Sequence, residues 1–127
     1  MDNQDQIQFF GEKRIRTSWN DLEEKWYFSV IDIIEALVET ERPRKYWADL
    51  KKKLANEGSE VSDKIGQLKM LAPDGKMRST DVADQEQLFR LVQSIPSPKV
   101  EPIKIWIARV ARERIDEMID PEISIDR

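Results

Sequence analysis

The sequence predicts an α+β fold, a small antiparallel sheet packed with about four helices, and three observations carry that expectation. Short runs with apolar residues at alternate positions stand near the N-terminus. A Pro-Asp-Gly turn joins two further strand-like runs in the middle, and the remaining stretches space their apolar residues three or four apart. At 127 residues the chain fits one domain and is too short for two substantial cores. Its hydrophobic share of 39% is low and its charged share of 36% is high, so the core must be small and the surface heavily charged.

Residues 7–10 form a short apolar run, and 14–19 set Ile15, Thr17 and Trp19 between polar neighbours; both read as strands. The polar stretch 20–25 turns the chain into a third strand over 26–28. Ser29 then reads as a helix N-cap, with Asp32 in a position like that of a capping box. The helix it opens carries Val30, Ile33, Ile34, Leu37 and Val38 at helical spacing and is expected to end near Glu41. A second helix starts with Pro43 in its first turn, packs Trp47, Leu50 and Leu54 with Tyr46 beside them, and stops at Gly58. Strands over 67–71 and 76–80 flank the turn Ala72-Pro73-Asp74-Gly75. A third helix over about 84–94 buries Leu88, Leu91, Val92 and Ile95, and the Pro-rich segment 95–98 breaks it. Ser97 reads as the N-cap and Pro98 as the first residue of a last, long helix, which shows Ile103, Trp106, Ile107, Val110 and Ala111 on one face. Asp120-Pro121 stops it. The domain is thus expected to occupy 1–119, with 120–127 the start of a linker or helix leading into a further C-terminal part.

The composition removes most chemistry. Without histidine the commonest general base and the usual zinc ligand are gone, and without cysteine there are neither disulfides nor thiolates. Gly11, Gly58, Gly66 and Gly75 are scattered, so no phosphate loop is present. Asp81 and Asp84, with Asp74 nearby, are the carboxylates a Mg²⁺-dependent nuclease would need; they read better as a helix cap and a turn residue. No enzyme activity, metal or cofactor is expected. The polar start resembles no signal peptide and no run approaches the ~18 apolar residues of a membrane span, so the expected location is cytoplasmic.

The net charge of −4 speaks mildly against a nucleic-acid binder, but the charges are segregated. Residues 42–54 hold six basic residues against Asp49 alone, whereas 113–127 hold six acids against Arg114 and Arg127. On the second helix Lys45 and Lys52 point outward, Arg44 and Lys51 share one flank, and Lys53 takes the other. A helix offering cations over most of its exposed arc suits phosphate contact, and Lys69, Lys76 and Arg78 add a basic hairpin that can lie along a groove. The competing reading of the lysine run is a plain solvated face. Trp47 and Trp106 lie on apolar helix faces and read as core; Trp19 and Trp26 flank a turn, which leaves room for one of them to be exposed.

The segments Trp26-Tyr27-Phe28-Ser29-Val30-Ile31-Asp32-Ile33-Ile34-Glu35-Ala36-Leu37 and Thr80-Asp81-Val82-Ala83-Asp84 continuing through Leu88-Phe89-Arg90-Leu91-Val92, followed by Ser97, Lys99, Ile103, Trp106 and Val110, together resemble the Bro-N domain. That domain is the N-terminal module of baculovirus BRO proteins and of phage and prophage antirepressors. Asp81-Val82-Ala83-Asp84 and the stretch 94–102 are similar to a prophage branch named after DNA-damage-inducible protein D. The resemblance implies an α+β fold, DNA binding and a variable C-terminal half, and it supplies no catalytic residues. One departure is the stretch Glu39-Thr40-Glu41-Arg42-Pro43, where many relatives have a Gly or Tyr-Ser loop.

The expected function is therefore a DNA-binding regulatory domain of an antirepressor-type or damage-response protein, acting in transcription regulation. Double-stranded DNA is the first partner, with single-stranded DNA, a repressor protein and a second copy as further candidates. The rival is a protein-interaction domain, binding a repressor or itself through the acidic stretch 113–126.

Overall fold

A computed structural model describes residues 3–119, and in them two hairpins and one short strand build a five-stranded antiparallel sheet. Strands β1 (Asn3–Phe10) and β2 (Lys13–Asn20) meet at a Gly11-Glu12 turn, where Gly11 takes the positive φ of 60° that so tight a connection requires. β3 (Lys25–Ser29) follows, and β4 (Gly66–Leu71) pairs with β5 (Met77–Asp84) to give the order β1-β2-β3-β5-β4. The central strand is the shortest. It pairs only with Thr17, Ser18, Trp19 and Asn20 of β2 and with Val82, Ala83 and Asp84 of β5. The first halves of β2 and β5, each with its hairpin partner, therefore run on past Ser29 as two arms.

Helices α1 (Val30–Leu37), α2 (Pro43–Asn56), α3 (Gln85–Val92) and α4 (Val100–Ile119) complete the α+β fold. Ile15, Trp19, Trp26, Phe28 and Ala83 of the sheet join Ile33, Leu88, Leu91, Ile103 and Ile107 in one core. Trp106 stands edge-on between Phe10 and Phe28, and its Nε1 donates to the Phe9 carbonyl at 2.8 Å, which fastens α4 to β1. Trp19 and Trp26 are both buried and meet edge to face at 5.5 Å, so neither is the exposed ring that the sequence left room for.

Element ends differ from expectation where distant groups compete. α1 stops at Leu37 and not near Glu41, because the Leu37 carbonyl, which would accept from the Glu41 N–H, takes the Ser97 hydroxyl at 2.6 Å. Ser97 accepts from the Lys99 N–H but α4 begins only at Val100. β5 continues past Thr80 to Asp84 because Val82, Ala83 and Asp84 pair with β3. The expected segment 120–127 lies outside the described residues, as does the second half of the acidic stretch 113–126.

Candidate nucleic-acid interface

The geometry starts from the buried stripe of α2. Trp47, Leu50 and Leu54 face the core, which at about 100° per residue leaves Arg44 and Lys51 on one flank. That flank faces β5. Trp47 Nε1 donates to Asp81 Oδ2 at 2.8 Å, and Lys51 Nζ reaches the same oxygen at 3.4 Å while lying 5.9 Å from the centroid of the Trp47 ring. Asp81 Oδ1 accepts from Gln67 Nε2 at 3.0 Å, and Gln67 Oε1 accepts from the Ser79 hydroxyl at 3.3 Å. Burial pushes the Asp81 carboxyl up, but the hydrogen bonds from Trp47 and Gln67 and the charge of Lys51 outweigh it and hold the group below the usual carboxylate range. Asp81 is thus an ionised hinge between helix and hairpin.

Register then separates the two faces of the β4–β5 arm. Gln67 pairs with Asp81, Lys69 with Ser79 and Leu71 with Met77, so these six share the face that meets α2. Beyond Asp81 this face is open: Gln67, Lys69, Leu71, Met77 and Ser79 are all exposed. The opposite face carries Met70 and Thr80, both buried, and Arg78, which is tied to Asp74 across the turn. A cleft of about 210 Å³ runs where arm and helices meet, lined by Arg16, Ile31, Arg44, Trp47, Ser79 and Asp81 among others.

The expected DNA-binding residues are distributed accordingly. Arg44, Lys51 and Lys69 lie along one continuous surface made of the α2 flank and the open arm face. Lys52 points outward beside it, and Lys76 sits in the turn at the arm's tip. Lys45 pairs with Asp49 at 3.2 Å on the outer side of α2. Lys53 lies two residues on from Lys51, about 200° round the helix, and Arg78 is on the other face of its arm. Among the described residues, Arg44, Lys52, Lys53, Lys69 and Lys76 enter no ion pair.

The three aspartates do not converge. Asp84 is the N-cap of α3, accepting from the Gln87 N–H at 2.9 Å and pairing with Lys25 at 3.1 Å; Asp74 holds Arg78 in the turn; Asp81 is the hinge. No group of three or more potential metal-ligating side chains forms among the described residues. Arg16 carries weight that the sequence did not announce, and Asp32 takes a role other than the expected one. Arg16 donates through Nε and Nη2 to both oxygens of Asp32, through Nη2 to Ser29 and through Nη1 to the Leu71 carbonyl. Asp32 also accepts the Arg16 backbone N–H at 2.9 Å, so its carboxylate is committed to β2 and no capping box closes at Ser29. Arg16 thereby ties the two arms and the start of α1 together.

An α+β domain that sets Arg44 and Lys69, neither of them in an ion pair among the described residues, along one helix flank and one hairpin face offers cations as a nucleic-acid-binding module does. The model of the BRO family N-terminal domain, Bro-N, matches residues 14–113, and the chain belongs to that family. The family is one of DNA-binding domains of antirepressor-type regulators. Comparison with curated proteins gave no match, and comparison with solved structures gave none either. No helix of the described residues is long and apolar enough to cross a membrane.

Proposed function

We propose that this chain binds duplex DNA, without catalysis, as the regulatory DNA-binding domain of a prophage-type antirepressor or damage-response protein. Arg44 of α2 and Lys69 of the arm hold phosphates, with Lys52 and Lys76 at the margins and Lys51 holding Asp81 between them. One observation carries the reading: the α2 flank meets the open face of the β4–β5 arm, and among the described residues that pair across that face, Gln67 to Leu71 with Met77 to Asp81, the acid is Asp81, which Lys51 neutralises. Elsewhere Lys45 has its own counter-ion, and Lys53 looks away.

The test is an anisotropy titration of the chain against single- and double-stranded DNA at several salt concentrations. Replacing Arg44, Lys52 and Lys69 together by Gln removes three cations that hold no ion pair among the described residues. Each lost phosphate contact lowers the slope of log K against log salt by about 0.9 on duplex DNA, so the triple variant should lose roughly two to three units and bind unrelated sequences more weakly by similar factors. Wild-type binding by the variant at all salts would leave the cations a solvated face and move the protein-interaction reading ahead.

A further inference from the structure

We propose that the open face of the β4–β5 arm reads base edges in the major groove, with Gln67 selecting adenine and Leu71 and Met77 lying against thymine methyl groups. The inference rests on the DNA-binding reading and deepens it, since phosphate contacts alone position a protein and select no sequence. It starts from an unexplained exposure. Leu71 is 56% exposed and Met77 52%, although Met70 one residue away is 2% exposed. On the arm's other face Met70 and Thr80 are buried. Leu71 and Met77 lie on the opposite face, in register with each other and in line with Lys69 and Gln67. Apolar side chains aligned with a cation and an amide on one exposed ribbon face match what a major groove offers: phosphates at its edge, hydrogen-bonding base edges and thymine methyls within it.

Gln67 is more than another exposed amide, because its orientation is chemically fixed. The ionised Asp81 carboxylate has no proton to give, so the amide must turn Nε2 toward it, at 3.0 Å. The Ser79 hydroxyl donates to the other end at 3.3 Å. An amide has two N–H groups and two carbonyl lone pairs; one of each is used, and one of each remains. Adenine presents in the major groove the complement of that remainder, an acceptor at N7 and a donor at N6. Asp81 itself has donors in Trp47 and Lys51 and does not depend on Gln67 alone. The dimensions agree: Gln67 to Leu71 spans about 13 Å of strand, roughly four base-pair steps, and a two-stranded ribbon fits the groove's width.

The experiment is selection of preferred sites from a randomised duplex library with the wild-type chain, followed by titration of the selected site and its single-base variants. Wild type should prefer adenine at one position by about tenfold or more, and Gln67→Ala should lose that preference while keeping the salt slope. Asp81→Asn, whose amide can donate and so frees Gln67 to turn, should blunt the same preference. Replacing thymine by uracil removes only the methyl group; it should weaken wild-type binding several-fold and leave a Leu71→Ser/Met77→Ser variant indifferent. All the replaced side chains except Asp81 are exposed, and circular dichroism checks the fold of each variant. A selected site whose adenine preference survives in Gln67→Ala, or binding with no base preference, overturns this inference and leaves the DNA-binding reading in place. Failure of the wild type to bind any duplex overturns both.

Discussion

Asp81 shows how far a residue's role depends on partners distant in sequence. Read locally, it precedes a helix and invites assignment as its cap. In the fold it is a strand residue gripped by Trp47 and Lys51 from α2 and by Gln67 from β4, while Asp84, three residues later, takes the cap. The candidate cations were legible as residues, because lysines on a helix announce themselves by spacing; the acid that organises them was not, since nothing local distinguishes Asp81 from its neighbours. A prediction follows from its environment. A carboxyl held below the usual range contributes stability that is present above the unfolded value and is lost as pH falls through the folded one. In urea denaturation series between neutral and strongly acidic pH, wild type should lose more stability in the acid limb than Asp81→Asn, and equal losses would show that the network does not favour the ionised form. Trp47→Ala tests the other side of the same contact. Trp47 is 5% exposed, and its removal should cost about 3–5 kcal/mol in the same assay.

Among the elements, hydrophobic spacing located every helix and most strands, because each buries a stripe or a face that repeats in sequence. It misplaced ends wherever a hydrogen bond from far along the chain decided them, as Ser97 does at Leu37 and β3 does for Val82 and Ala83. The Arg16–Asp32 pair escaped for the same reason, since an Arg alternating along a strand looks solvated until the start of α1 is folded against it. The arm turn was readable in detail. Gly75 N–H bonds the Ala72 carbonyl at 2.9 Å, Ala72 N–H bonds the Lys76 carbonyl at 2.8 Å, and Gly75 sits at φ 84°. A β-carbon there meets nothing within 4 Å, so Gly75→Ala isolates the backbone cost, about 1 kcal/mol. If the arm enters a groove, that variant should also bind DNA more weakly than its loss of stability explains. Unchanged affinity at full folding would place the tip outside the interface.

For the whole molecule, the overall charge of −4 and a DNA-binding role are compatible only if the cations sit together and the acids elsewhere. The fold brings several cations to one side: Arg44 and Lys51 meet the arm face that carries Lys69, with Asp81 held by Lys51 between them, whereas Lys53 lies about 200° from Lys51 on the far flank of α2. Segregation along the sequence was visible as a basic run and an acidic tail. Helical spacing alone put Arg44 and Lys51 on one flank and Lys53 on the other; that the first flank meets the β4–β5 arm required the helix to be docked, through the Trp47–Asp81 contact. This gives a prediction with an internal control. Arg44→Gln and Lys69→Gln should each lower the salt slope on duplex DNA by about 0.9 units, while Lys53→Gln, an equal change in net charge, should leave it unaltered. None should shift the urea midpoint appreciably, since exposed substitutions of this kind stay within about 0.5 kcal/mol. Were Lys53→Gln to lower the slope as much as Lys69→Gln, binding would follow net charge and not the surface that α2 and the arm build together, because only a side-specific contact can tell two exposed lysines of equal charge apart.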